Sequence, residues 1–359
     1  MPVPTWTIEE WQLREQPDEL LAELYEARAA LHLEATPGDP RMPLADEVAR
    51  LRHLPASEDG VVLVARHAAA PVAGIATCSW ERLAGFDHLL STEIEVLPGC
   101  RRQGLGRLLL GRSVSVAERR GLRLIMGRTR DNVPSGAAFC GQFGAEAAMV
   151  GEENRLDLLG IDRDLVDRWI AEGPVRAPGY RLNFVAGCTP PELADRVAEV
   201  LNVMNTAPRE DLDIGDVMIT PELVHEYEDA AAAAGHGQWA YYAVESASGQ
   251  FVGLTNVNMR PGLPDRVYVG DTGVDRAHRG QGLGKWLKAA ITRRILDELP
   301  DVRWVITWNA GSNDPMLAIN RRLGFRAAVV ATTWQISTQE LRARLASWPD
   351  RGADGGPAD

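Results

Sequence analysis

"CRRQGLGRLL", Cys100 to Leu109, and "AHRGQGLGKW", Ala277 to Trp286, are two versions of one glycine-rich decapeptide, 178 residues apart. Arg101, Gln103, Gly104, Leu105 and Gly106 match Arg279, Gln281, Gly282, Leu283 and Gly284, and a basic residue follows each run. The surroundings repeat as well. A strand-like run precedes each copy ("STEIEVL", "RVYVGDTGV") and an apolar helix follows it ("GRLLLGRSVSVAERR", "GKWLKAAITRRILDEL"). Upstream, "TWTIEEW" and "YRLNFVA" read as opening strands, each leading into a helix; Thr189 and Pro190 start the second one well. Hairpin-like pairs come next, "GVVLVARH" with "PVAGIATCSWE" and "WAYYAVES" with "FVGLTNVNM". Downstream lie a strand ("LRLIMGRT", "VRWVITWN"), a short helix ending at Gly144 or Gly324, and a last strand and helix. This order predicts a tandem repeat of a mixed α/β (α+β) unit. The boundaries read as 1–172 and 173–359, with the join at "EGPVRAPGY", where Gly173, Pro174, Pro178 and Gly179 interrupt regular structure, and a disordered tail over about 350–359.

Composition sets outer limits. A chain of 359 residues suits two domains, and 45% hydrophobic with 25% charged residues is ordinary for a globular protein. No run approaches the roughly 18 apolar residues of a membrane span. The start, "MPVPTWTIEEWQ", lacks the basic and apolar regions of a secretory signal. Cys78, Cys100, Cys140 and Cys188 are scattered, which argues against disulfide staples and a metal site and fits a reducing cytoplasm. A net charge of −12 excludes a nucleic-acid partner and is compatible with a cationic small molecule.

A glycine-rich turn between strand and helix gathers backbone N–H groups at the positive end of the helix, a place that suits phosphate. Glycine is needed where a ligand approaches the main chain too closely for a Cβ. A dinucleotide fold would put such a turn early in a βαβ unit, with an acid about 20 residues on. A phosphate-binding Walker loop would follow Lys285 with Ser or Thr, and Trp286 stands there. Neither pattern fits.

The order of elements, with "RRQGLG" and "RGQGLG" after a strand and an asparagine ahead of "LGF", resembles the GCN5-related N-acetyltransferase (GNAT) family over residues 5 to 345. The resemblance implies two tandem domains, each a mixed, mostly antiparallel twisted sheet flanked by helices. It also implies acetyl-CoA as cosubstrate. On the second half it carries Val274 as the strand-end residue meeting the acetyl group, with Arg279, Gly280, Gln281, Gly282, Leu283, Gly284 and Lys285 around the pyrophosphate and Asn313 on the pantetheine arm. Asn320, counted with the coenzyme contacts, stands where many family members carry a tyrosine acid; Cys140 is its first-half counterpart. In the first half Arg101, Gln103, Gly104 and Gly106 keep the turn, but Val133 replaces the asparagine (Asn132 is one place off) and "GA" replaces "GF". The second half therefore reads as catalytic and the first as mainly structural.

Acyl transfer to an amine needs a base, because a free alkylamine has a pKa of about 10. Asp271, three residues before Val274, and its repeat counterpart Glu93 are the candidates. The Val274 N–H is the candidate oxyanion donor. His278, Tyr241, Tyr242 and the tryptophans of the second half read as surface or core groups. The acidic stretch "NTAPREDLDIGD", with Glu210, Asp211, Asp213 and Asp216, falls where the family folds over its acceptor pocket, so the resemblance makes Glu210, Asp211 and Asp213 acceptor-binding. The expectation is an acetyl-CoA-dependent N-acetyltransferase acting by direct attack on a primary amine of a small cationic molecule, cytoplasmic, monomeric or homodimeric, without metal or membrane. The alternatives are N-terminal acylation of a peptide, a longer acyl donor, or an acyl-CoA-binding protein without catalysis.

Overall fold

The computed structural model describes residues 6–67 and 71–348, so the expected disordered tail lies outside the described residues. The first half runs β1 (Trp6–Gln12), α1 (Asp18–Ala35), α2 (Leu44–Arg52), β2 (Glu58–His67), β3 (Val72–Glu81), β4 (Leu89–Val96), α3 (Leu105–Arg120), β5 (Leu124–Arg130), α4 (Pro134–Gln142), β6 (Glu146–Asp157) and α5 (Arg163–Arg176). The second runs β7 (Tyr180–Ala186), α6 (Ala194–Leu201), α7 (Pro221–Ala233), β8 (Gly237–Glu245), β9 (Phe251–Met259), β10 (Arg266–Val274), α8 (Leu283–Glu298), β11 (Trp304–Ala310), α9 (Asp314–Leu323), β12 (Arg326–Ser337) and α10 (Thr338–Ala346). The repeated order read from the sequence is the repeated order of the fold.

All twelve strands join one sheet, in the order β1-β2-β3-β4-β5-β12-β6-β11-β10-β9-β8-β7. Every neighbouring pair is antiparallel except β4–β5 and β10–β11. These parallel pairs are joined only at their starts, Leu89–Ser91 with Leu124–Met126 and Arg266–Val269 with Trp304–Thr307. Beyond those residues the strands part, which leaves a gap just before each glycine turn.

The halves trade their last elements. β12 pairs with β5 of the first half, β6 pairs with β11 of the second, and β6 and β12 pair with each other. Burial enforces the trade: Ile336 and Leu341 enter the core under α3, whereas Leu156, Leu165, Val166 and Trp169 enter the core of β9, β11 and α8. The helix α5 does not break at Gly173 and Pro174 but continues to Arg176. Packing against α8 overrides the local signal, and Gly173 is required there, because a Cβ would lie 2.3 Å from the Trp286 ring.

On the opposite face, α1 and α2 lay Leu20, Leu21, Leu24 and Leu51 on Val62, Val64 and Ile75. Polar bridges also tie the halves. Asp39 accepts from Arg155 at 2.7 and 2.8 Å and from Arg266 at 3.2 Å. Burial pushes its carboxyl up, but the two guanidinium groups outweigh that and hold it below its ordinary value.

Candidate active site

Each glycine turn holds two left-handed residues at matching places: Arg102 (φ 62°) and Gly104 (φ 82°), Gly280 (φ 82°) and Gly282 (φ 85°). Arg102 holds a conformation that costs an ordinary side chain about 1 kcal/mol. The N–H groups of Gln103 to Gly106 and of Gln281 to Gly284 make no backbone hydrogen bond among the described residues. They open α3 and α8, where the helix dipole adds positive character. In both turns the leading arginine folds back on the strand end. Arg101 Nε donates to the Val96 carbonyl at 3.0 Å, and Arg279 Nε to the Val274 carbonyl at 2.8 Å. The next N–H along, Leu97 or Asp275, bonds to Ala73 or Val252 on the neighbouring strand. By strand alternation Val96 and Val274 therefore turn their own N–H groups toward the gaps.

From there the halves diverge. The first turn opens into a cavity of about 1460 Å³, running from Arg101–Arg107 past the β4 end and α4 to Tyr25, Arg28 and Glu47. Small-molecule pockets usually span roughly 300–1,000 Å³, so this one has room for a large ligand beside a small one. A second cavity, of 300 Å³, lies at Met259, Arg260 and Val302, away from both turns. The sequence places the productive site at the second turn, whereas the large open space is at the first. The end of α5 packs beside the second turn. Gly173 seats the Trp286 ring, Lys285 Nζ lies 5.8 Å from the Trp169 ring centroid, and Arg176 Cδ is 3.7 Å from where a Gly282 Cβ would be. The first-half counterparts of this helix end lie beyond Trp348, outside the described residues.

At the far end of the first cavity, β4 presents Glu93 and Glu95 on one face. Arg28 Nε donates to Glu95 at 2.7 Å, its Nη2 to the Thr77 hydroxyl at 3.2 Å, and its Nη1 to Glu47 at 3.4 Å. Burial pushes the Glu95 carboxyl up against the pull of Arg28, and Glu93 pushes the same way. Glu93 itself has no ion pair or hydrogen bond among the described residues and is exposed to the cavity. Glu95 and Glu47 thus share one guanidinium, and Glu93 stands unpaired beside them. Sequence reasoning named Glu93 as the counterpart of Asp271 and missed Glu95, Glu47 and Arg28. The Glu-x-Glu spacing on the strand entering the turn was the available signal.

The matching strand of the second half is covered. Val203 Cγ1 and Met204 Sδ, on a 3₁₀ turn at Asn202–Thr206, lie 3.1 and 3.2 Å from where a Gly273 Cβ would be. Arg279 donates to Thr206 at 2.8 Å. Asp271 sits in a bulge between Val269 and Thr272, its N–H held by Asn256, and burial raises its carboxyl pKa. Asn313 precedes α9 without a capping bond. Asn320 is fully buried, donates to Asn309 at 2.8 Å, and leaves its Oδ1 without a partner. Burial pushes Cys140, its counterpart, up to about 11. Neither helix offers a tyrosine.

The acidic stretch lies across the junction of the halves rather than over a pocket. Asp213 bonds to Arg123 at 2.7 Å, which holds its carboxyl low. Glu210 accepts from the Val150 N–H at 3.0 Å and from Ser312 at 2.9 Å. Asp216 pairs with Arg209 at 2.7 Å, and Asp211 is tied through its backbone to Ala148 and Gln335. Of the bystanders, His278 meets the Tyr180 hydroxyl at 2.8 Å, Tyr241 accepts from Arg294 at 3.1 Å, and Tyr242 stacks on Phe251. Among the described residues no group of three or more His, Cys, Asp or Glu could hold a metal ion, and no helix is long and apolar enough to cross a membrane.

Comparison with known proteins agrees with this architecture. No curated protein sequence matches. The chain is similar to the solved structure of a tandem GNAT protein from the clavulanic acid biosynthesis pathway, with 27% identity over 92% of this chain and 99% of that one and a TM-score of 0.72. A GCN5-related N-acetyltransferase from Sphaerobacter thermophilus shares the fold at 17% identity, covering 93% of this chain and 96% of that one, with a TM-score of 0.64. The model of the acetyltransferase (GNAT) family matches twice, at residues 10–144 and 207–325, each match holding one parting pair of parallel strands and the glycine turn beside it, so the chain belongs to the GNAT acetyltransferase family.

Proposed function

We propose that the protein transfers an acetyl group from acetyl-CoA to the primary amine of a small molecule that arrives as its ammonium cation, in a ternary complex, and that the reaction takes place in the first-half cavity. One observation carries this reading: the open cavity joins unbonded N–H groups of a glycine turn at one end to an unpaired carboxylate, Glu93, at the other. Acetyl-CoA supplies an activated acyl thioester. The N–H groups of Gln103 to Gly106 receive its pyrophosphate, and the gap between β4 and β5 takes the arm. The Val96 N–H points where an oxyanion develops. Glu93 and Glu95 attract the ammonium, and Glu93, which has no partner of its own, removes its proton. The leaving thiolate takes its proton from water or from the cationic nitrogen of the tetrahedral intermediate as the C–S bond breaks, since no tyrosine is at hand. The second half serves as the support that completes the first half's sheet.

A second reading, an acyl-CoA-binding protein without catalysis, is favoured by Asn320 and Cys140 at the tyrosine position. Calorimetry and thiol release separate the possibilities. The space beside Gly104 is empty for at least 4 Å, so the valine in Gly104→Val projects into the proposed phosphate position at φ 82°. That variant should lose acetyl-CoA binding, and Gly282→Val should keep it. The reverse pattern moves the site to the second half. Binding without thiol release, over a broad amine panel, leaves the non-catalytic reading.

A further inference from the structure

The carboxylates are not the only charged groups at the acceptor end of this cavity. Arg130, the last residue of β5, also lines it. Its Nη1 is buried and has no hydrogen-bond partner. The nearest carboxylate oxygen, Glu153 Oε2, is 4.0 Å from Nη2, too far for a hydrogen bond, while Oε1 of the same group accepts from Arg155 at 2.6 and 2.9 Å. A buried guanidinium nitrogen without an acceptor is uncommon, because every such N–H loses water on burial. An arriving carboxylate would meet the part of the Arg130 side chain that is still exposed, and a planar guanidinium matches that group's geometry.

Register puts the two opposite charges on one face. Ser91 is paired with Met126 where the parallel strands are still joined, and Glu93 and Arg130 lie two and four residues further on. With about 3.3 Å per residue and about 4.8 Å between strands, their backbones are roughly 8 Å apart, more where the strands part. Side chains of this length leave space between their charged ends for one small molecule. Arg128, level with Glu93 in register, is turned onto the Trp308 ring, 3.6 Å from its centroid.

Resting on the assignment of the reaction to the first-half cavity, we propose that the acceptor carries a carboxylate a few bonds from its amine, as an amino acid does, and that Arg130 binds this carboxylate while Glu93 receives the ammonium. An acceptor of this kind cancels both loose charges at once, whereas a simple amine leaves Arg130 unsatisfied.

The test uses the full chain with acetyl-CoA and a panel of L-amino acids, each beside its decarboxylated amine, with O-phosphoethanolamine as a phosphate-bearing probe. Thiol release gives kcat and KM. The expected result is a preference of tenfold or more in kcat/KM for amino acids over their amines. Arg130→Gln should erase it through KM, Arg130→Lys should restore part of it, and both variants should keep the wild-type Kd for acetyl-CoA. Equal or better turnover of the amines overturns the proposal, as does a clear preference for O-phosphoethanolamine. Weakened acetyl-CoA binding in Arg130→Gln also overturns it, by giving Arg130 to the coenzyme. If acetyl-CoA binds and no panel member reacts, the amino-acid acceptor falls and the coenzyme site stands. If Gly104→Val does not disturb acetyl-CoA binding, the underlying assignment of the site falls instead.

Discussion

Lys288 gives the sharpest quantitative test of the second half's packing. It lies on α8, only 2% exposed, where α3 carries Leu110. Among the described residues its ammonium has no ion pair, and it lies 5.9 Å from the centroid of the Phe325 ring. Burial alone lowers its pKa from 10.5 to about 7. The unfolded chain therefore binds a proton that the folded chain refuses between about pH 7 and 10.5. That difference costs the fold about 4 kcal/mol at pH 7 and under about 1 kcal/mol at pH 10. The sign follows directly. Wild-type stability from this residue rises with pH through the window and is level below it. Lys288→Met nearly preserves volume and removes the charge, so it should stabilise by a few kcal/mol at pH 7 and by much less at pH 10. Urea unfolding of both proteins at the two pH values measures the difference. A variant no more stable than wild type at pH 7, or a gain that is the same at both pH values, would refute the reasoning.

Two further outcomes follow from polar contacts. Asp39→Asn removes the carboxylate shared by Arg155 and the buried Arg266, leaving the latter only Asp265, and should destabilise by roughly 2–4 kcal/mol at neutral pH in urea melts. Because the folded pKa of Asp39 is depressed, its contribution is present above about pH 4 and fades as acid protonates it, so the difference between the two proteins should shrink in acid. Neutralising Glu210, Asp211 and Asp213 together should leave kcat/KM for amines within about twofold, with no change in salt dependence. Those groups face Arg123, Ser312 and the β6 backbone rather than the cavity, and a loss confined to cationic amines would return them to the acceptor site.

Much of the fold was legible because it is written locally and twice. The left-handed glycines after α4 and α9 (Gly144 and Gly324), the period of each strand and the left-handed turn at Gly104 and Gly282 depend on neighbours within a few residues, and repetition doubled each signal. The turn residues on both strands' ends fell where the sequence put them. The acceptor end did not, because Arg28 reaches Glu95 across 67 positions and no spacing rule connects them. The acidic loop was hard to read for the same reason: Arg209, the partner of Asp216, stands inside the stretch, but Arg123, Val150 and Ser312, the partners of Asp213 and Glu210, lie far off in sequence.

By itself, then, the sequence determined the repeated unit, its family resemblance and the phosphate-suited turns, since each is a short-range pattern of sterics and burial. Tertiary structure decided where the cavity of about 1460 Å³ lies. The last strands β6 and β12 carry edges that could pair within their own half, and only the fit of Leu156 and Ile336 into the opposite cores selects the exchange. That exchange carries α5 onto α8 and seats Gly173 against Trp286 beside the second turn, while the first turn keeps its cavity. Partner choice between strands and the close packing of a helix end are non-local, and no window of the sequence contains both sides of either contact.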